Sequence, residues 1–502
     1  MIRAAFHKTD SLKGYPELPP FDPPEAYPEL RHLYGGEVSV DRSNHVYETV
    51  RNLLCRLSLD AQHIGTESWN PLRELASPGQ QVLIKPNLVT HRHPWGETAL
   101  VSTICHASVI RVLIDYARLA VSPGGRIIVG DTPLENCHFD VLCRATKLLE
   151  TVELLRERGA GDLELLDFRT YGTEQHHDGS IETFELAGDP RGYSNLDLGR
   201  LSLLQELEDR HGPQNYYTLG DHTIDHMNPR VRGLGMPNSY HANGRHIYRI
   251  ANTVLDSHLV ISAAKLKTHH LAGVTLSLKN SIGICDGKAY MPHFRPGTPD
   301  EGGDAFPSYP SLRYLLPLRL RRSIYAIAGR RGAPKLQRMV SHLRGVRLPH
   351  QIHSEPLFGN WHGNDTIWRT ILDLSLILMH GSRNGVNPEV PQRRFLGVVD
   401  GIVGMDHDAP LAGVPVSAGL ALAGRDPVAL DTLGTFLMGL DPRRIPTLSG
   451  TIADQCSALG SPLLYPDSLS GNVALKEAQV HFVPSKGWKT VLESGIEEWP
   501  FT

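Results

Sequence analysis

Cysteine is scarce in this 502-residue sequence: six in all, at Cys55, Cys105, Cys137, Cys143, Cys285 and Cys456, with no C-x-x-C pair. That scatter disfavours a disulfide scaffold and a four-cysteine zinc or iron–sulfur site, so no iron–sulfur cluster is expected. Net charge is almost absent, because 50 basic and 54 acidic side chains leave −4. A general nucleic-acid binder needs a surplus of cations to neutralise phosphates, so nucleic acid is not an expected partner. No apolar run approaches the roughly 18 residues of a bilayer span. Met1 to Asp10 lacks the apolar centre of a signal peptide, and the expected compartment is the cytoplasm. A glycine-rich phosphate loop and a dinucleotide fingerprint are missing as well, since Pro123-Gly124-Gly125 precedes a strand instead of following one.

Acidic residues are missing from one long stretch. Between Asp304 and Glu355 there is no carboxylate, but ten basic residues from Arg313 to Arg347 lie among leucines and isoleucines. This basic insertion, at about 305–354, reads as an ordinary helical surface, as a lid over an anionic substrate, or as a segment making peripheral membrane contact.

What is present is the pattern of an α/β protein. Residues 1–45 form a proline-rich arm, in which Pro16, Pro19, Pro20, Pro23, Pro24 and Pro28 favour extended backbone. Gln81–Lys85 predicts a buried strand, Val109, Ile110, Leu113, Ile114 and Ala117 recur at helical spacing, and Arg126–Gly130 predicts a second strand. Strand, helix and strand at 81–131 make a βαβ unit, which demands parallel neighbours. A further strand is expected near Leu163–Phe168. Leu259–Ala263, Phe395–Val399 and Leu420–Ala423 are apolar strands of a second block, and Asp426-Pro427 signals a helix start. The expected fold is α/β: mainly parallel sheet with helices on both faces, in two lobes (46–250 and 251–460) with a cleft between them, and a C-terminal extension at 461–502. The pattern selects no oligomeric state.

Ligands of open α/β sheets bind beyond the carboxyl ends of the strands, so polar residues standing directly after apolar strands are the candidates. Lys85 and Asn87 follow the first strand, Asp131 the second, Lys265, Lys267 and His269 the third, and Asp400 the fourth. In extended backbone Lys265, Lys267 and His269 share one side. Thr275, Lys279 and Asn280 come within fifteen residues of Lys265. So many cations together call for an anion, supplied by a ligand or by nearby carboxylates. Lys85, Asn87, Lys265, Thr275 and Asn280 are therefore expected to hold an anion, with His269, Lys267 or Lys279 moving protons or acting as an amine nucleophile. Asp131, Asp400, Asp431 and Asp426 would orient the lysines or bind a divalent metal through oxygen. His293, Asp304 and His362 form a second cluster. His222 and His226 share a helical spacing in Asp221–His226, but the glutamate of the zinc-protease pattern is missing. Asn364 or Asp365 is placed to cap a helix over Ile367–Met379.

Several of these segments resemble the domain of unknown function 362 family from about Gln81 to Gly460. The resemblance is carried by Ile84-Lys85-Pro86-Asn87, Val129-Gly130-Asp131 and Lys265-Leu266-Lys267-Thr268-His269. It continues through Gly273–Asn280, Val399-Asp400-Gly401-Ile402 with Gly404-Met405, and Gly424–Asp431. Many members of that family carry ferredoxin-type cysteine runs, which this chain lacks. The proline-rich arm and Trp361–Arg369 are similar to a longer branch that accompanies surface-polysaccharide genes. Together these readings predict an enzyme acting on a small anionic metabolite, whether phosphorylated, carboxylated or sugar-derived. The competing reading is an accessory ligand-binding protein at the membrane surface, linked to surface-polysaccharide synthesis.

Overall fold

The apolar runs assemble into one mixed sheet. The computed structural model describes residues 2–33, 37–175, 181–214, 216–218, 240–308, 358–450, 458–459, 468–492, 496 and 498–499. Among these, ten strands join: β1 (Ala4–Lys8), β2 (Gln81–Pro86), β3 (Arg126–Asp131), β4 (Leu163–Asp167), β5 (Leu259–His269), β6 (Gly273–Thr275), β7 (Arg394–Asp408), β8 (Ala412–Val416), β9 (Leu420–Gly424) and β10 (Leu469–Ser470). Their order is β10-β1-β9-β7-β5-β2-β3-β4, with β6 on β5 and β8 on β7. The centre, β7-β5-β2-β3-β4, is wholly parallel, while β9 is antiparallel to both β1 and β7.

The central strands are apolar throughout because both faces of the sheet are covered. Successive residues alternate between two cores. Leu83, Ile128, Val260 and Ala264 enter one, with Ile371 and Leu433. Val82, Ile84, Ile127, Val129 and Ile261 enter the other, with Leu53, Ile110 and Leu113. Helices α1 (His45–Arg56) and α3 (Ala107–Val121) supply the second core; α6 (Ile367–His380) and α7 (Pro427–Leu437) supply the first. Between them in sequence lie α2 (Glu97–Thr103), α4 (Leu148–Glu157) and the single-turn α5 (Ser277–Asn280). Each fully buried leucine or isoleucine contributes roughly 1.5–3 kcal/mol, and a two-faced sheet collects that from every residue of a strand.

The strand pairing revises the expected domain plan. The division placed near residue 250 falls between β2 and β5, which are hydrogen-bonded neighbours from Leu259↔Val82 to Ala263↔Pro86. Strands from both halves thus form one continuous sheet. The N-terminal arm also supplies a strand: β1 pairs with β9, and β10, from the C-terminal region, pairs with β1. The basic stretch beyond residue 308 and the Asp221–His226 segment lie outside the described residues. Among the described residues no single helix is long and apolar enough to cross a membrane.

Candidate functional site

The carboxyl ends of β2, β3, β5 and β7 bring Lys85, Asp131, Lys265, Lys267 and Asp400 to one edge of the sheet. Lys265 stands directly beside Asp400 in the β5/β7 ladder, and the register then slips so that Lys267 faces Met405. A tight turn at Gly273, whose φ of +80° suits glycine, folds β6 back on β5 and sets Thr275 opposite Lys267. Directly opposed residues share a face, so Thr275 and Lys267 lie side by side. The chain next forms α5, whose Ser277 and Leu278 amides donate to the Asp431 carboxylate at 2.7 and 2.8 Å. Burial pushes Asp431 up to about 8, against the pull of those two amides. Its work is to hold the turn that carries Lys279 and Asn280.

Two of the four lysines are answered by carboxylates. Lys85 Nζ lies 2.6 Å from Asp131 Oδ1 and donates to Asn280 Oδ1 at 3.0 Å and the Pro86 carbonyl at 2.8 Å. Asp131 also accepts the amides of Leu88 and Thr132. Gly283 packs so close that a Cβ there would lie 2.0 Å from Asp131 Oδ1 and 2.5 Å from Lys85 Nζ. Lys265 Nζ donates to Asp400 Oδ2 at 3.0 Å and to the Tyr15 hydroxyl at 2.7 Å, and that hydroxyl donates to Asp400 Oδ1 at 2.6 Å. The His106 amide closes the group on Asp400 Oδ2, with the Tyr15 ring stacked on the His106 ring at 4.1 Å. Burial lowers both lysines, and the paired aspartates only partly restore them. Asn280 spends its amide on the Lys85 carbonyl and Ser262 Oγ. Lys85, Lys265 and Asn280, expected to grip an anion, are instead engaged within the protein.

The other two lysines have no such answer. Lys267 is fully buried, and its Nζ donates to two neutral oxygens, Asn87 Oδ1 and the Thr103 carbonyl, both at 2.6 Å. The Lys279 side chain, partly exposed, makes no hydrogen bond or ion pair among the described residues. Burial drives Lys267 well below its ordinary value, assisted by Lys279 and Lys265. Burial and the neighbouring Lys288 and Lys85 bring Lys279 down to about 7. His269 Nδ1 accepts the amides of Leu271 and Ala272 at 3.0 and 3.3 Å, so the neutral ring carries its proton on Nε2. His269 is also held well below its usual value, first by burial and then by Lys279, His270, Lys267 and His293. Thr275 Oγ1 is buried without a hydrogen-bond partner among the described residues.

His293 joins this group and leaves its expected companions. It is buried, its Nδ1 donates to the Met291 carbonyl at 2.6 Å, and burial with Lys279 and Lys288 nearby brings it to about 3. Asp304 instead accepts the Arg295 and Asp365 amides and the Thr366 hydroxyl, tying down the start of α6. Asn364 bridges the two regions, donating to the His293 carbonyl while accepting the Thr366 and Ile367 amides, as a capping residue does. His362 is exposed beside a separate cavity of about 390 Å³ with Asp365, Trp368 and Pro446. Asp426 caps α7 through the Ala429 amide and pairs with Arg3, at the opposite edge of the sheet, where Gly424 stands beside Gly397.

These placements bear on the metal option. Asp131 and Asp400 are each held by a lysine, Asp431 by amides, and Asp426 by an arginine and a helix end. Among the described residues no three histidine, cysteine, aspartate or glutamate side chains converge as a metal site. Sequence reasoning missed Tyr15, His106, His270 and Lys288. His270 adjoins a chosen residue and its ring stacks on His269 at 4.8 Å, and Lys288 reaches the Thr132 carbonyl. Tyr15 carried no local signal, since it comes from a stretch 250 positions away from Lys265.

Among functionally curated proteins no sequence relative is found. A crystal structure of a Thermotoga maritima protein, a structural-genomics target, aligns at 9% identity and a TM-score of 0.29 over 74% of this chain. The chain spans 53% of that protein's length. Residues 224–435, which include Lys265 to Asn280, His293, Asp400 and Asp431, match the family described as Domain of unknown function (DUF362), and the chain carries a domain of that family.

Proposed function

We propose that Lys267, Lys279, His269, His293 and Thr275 bind a small anionic metabolite, phosphorylated, carboxylated or sugar-derived, and that the chain is an enzyme acting on it. The observation that carries this reading is the buried Lys267 amine, which among the described residues donates to two neutral oxygens and to no carboxylate, Asp131 acting on it only from beyond hydrogen-bond reach. A buried cation without a counter-charge costs several kcal/mol, and an anion entering beside it removes that cost. Lys279 and the unpartnered Thr275 hydroxyl add donors on the same side, and fixed donors of this kind stabilise charge that develops during a reaction. His269, whose Nδ1 is occupied by backbone amides, keeps its proton on Nε2 and is a neutral hydrogen-bond donor of the set.

The test is calorimetric titration with inorganic phosphate, beside citrate as a carboxylate probe. Binding is expected in the parent, weakened about tenfold or more in Lys267→Met, because a charge-assisted hydrogen bond is lost. Equal affinity in parent and variant overturns the reading. The accessory reading draws on the acid-free stretch at 305–354 with its ten basic residues. It requires salt-sensitive flotation with anionic vesicles, lost when that stretch is removed.

A further inference from the structure

Three buried lysines at this edge are each met by one short side chain: Lys85 by Asp131 at 2.6 Å, Lys265 by Asp400 at 3.0 Å, and Lys267 by Asn87 at 2.6 Å. The donor is the same in all three contacts, and only the third partner is uncharged. Asparagine has the shape of aspartate, with an NH2 group in place of one oxygen. Asn87 is fixed through its backbone, whose amide donates to the Ala263 carbonyl and whose carbonyl accepts the Cys105 amide, each at 3.0 Å. Its Nδ2 makes no hydrogen bond among the described residues. The fold therefore makes no use of the NH2 group. A carboxylate at this position would keep every hydrogen bond and would also answer Lys267, whose other acceptor, the Thr103 carbonyl, is neutral as well.

We infer that Asn87 sets the sign of the ligand: by meeting Lys267 with a neutral oxygen where Lys85 and Lys265 meet carboxylates, it leaves that amine to be paired by an anion. The inference rests on the anion-binding reading and deepens it by naming the residue that gives the site its charge selectivity. Asn87 acts through Lys267, so it is a specificity-determining residue and not a catalytic one. A carboxylate at position 87 would keep the proton on Lys267, as Asp400 does for Lys265, and would repel an incoming anion. Lys279 and Lys265 also bear on the Lys267 amine, as does Asp131 with the opposite sign, and all three stay constant when only Asn87 is changed.

Two substitutions on the full chain separate charge from shape. Asn87→Asp places a carboxylate against Lys267 and breaks no hydrogen bond; Asn87→Ala removes the oxygen and adds no charge. In calorimetric titration with inorganic phosphate, Asn87→Asp should bind about tenfold or more weakly than the parent, and Asn87→Ala within about threefold of it. The urea midpoint should move the other way, with Asn87→Asp at or above the parent and Asn87→Ala below it. An asparagine that only supported the fold would lower affinity and stability together. A smaller loss of affinity in Asn87→Asp, an equal loss in both variants, or a lowered midpoint in Asn87→Asp overturns the inference and leaves the anion reading standing. So does an Asn87→Asp chain that does not fold, because the fold would then require the amide. No phosphate binding in the parent overturns the anion reading and the inference with it.

Discussion

Four lysines stand at one edge of one sheet, and they divide into two pairs. Lys85 and Lys265 each face a buried aspartate, with Asn280 and Tyr15 completing the hydrogen bonding. Among the described residues the Lys267 amine donates only to neutral oxygens, and the Lys279 side chain makes no hydrogen bond or ion pair, Asp131 acting on both from a distance. The first arrangement is what a protein needs in order to bury a charge; the second leaves part of the cost unmet. The contrast teaches that cation density is by itself no sign of a binding site. What marks one is a buried cation whose compensation is absent, because that debt is settled either by loss of its proton or by a charge arriving from outside.

The largest effect should come from breaking the compensated side. Asp400→Ala strands Lys265 and removes the acceptor of Tyr15 and the His106 amide, so it should cost about 3–5 kcal/mol in urea unfolding. A loss under about 1 kcal/mol would erase the distinction between the pairs. Next comes the pH dependence of Lys279→Met in anion-free buffer. Lys279 is lowered to about 7 in the folded chain from an ordinary 10.5. Below pH 7 both states are protonated and the burial cost is fully present. Between about 7 and 10.5 only the unfolded chain holds the proton, so parent stability rises with pH. The methionine variant lacks that slope. It should therefore be the more stable near pH 6, by on the order of 2 kcal/mol after allowance for screening of a partly exposed amine, with the gap closing toward pH 10. Parallel curves would mean that the amine keeps an ordinary affinity for its proton. Gly283→Ala forces a Cβ against Asp131 and Lys85 and should cost about 1–3 kcal/mol, without changing phosphate affinity.

Much of this layout is legible in the sequence because strands buried on two faces write themselves as apolar runs. Gln81–Pro86, Arg126–Asp131 and Leu420–Gly424 fall within a residue of expectation, as does α7 behind its Asp426-Pro427 signal. β5 and β7 run well past their apolar parts, to His269 and Asp408, because ladder hydrogen bonds to their neighbours carry polar residues along. Polar residues after the parallel strands come together at one edge of the sheet, as their positions predict. Which carboxylate answers which lysine is invisible, since Lys265–Asp400 and Lys85–Asp131 are long-range pairings set by strand order. For the same reason Asp426 looked equivalent to Asp400 and lies at the other edge. Tyr15 is the extreme case: an arm of prolines gives no hint that one ring among them bridges a buried ion pair.

The smallest expected effect is the one that sharpens the comparison most. Lys267→Met removes a buried ammonium, which relieves desolvation, but it also leaves Asn87 Oδ1 and the Thr103 carbonyl short of a donor. The first change stabilises by a few kcal/mol and the second costs about 1–3, so the net change in unfolding free energy should lie within about 1 kcal/mol of zero. Methionine has the length to fill the space of the lysine stem, which keeps the packing term small. Near-zero change in stability together with lost phosphate binding is the signature of a residue kept for a ligand. A loss as large as that of Asp400→Ala would instead place Lys267 with Lys85 and Lys265, as a strut of the sheet edge, and the division into two pairs would fall.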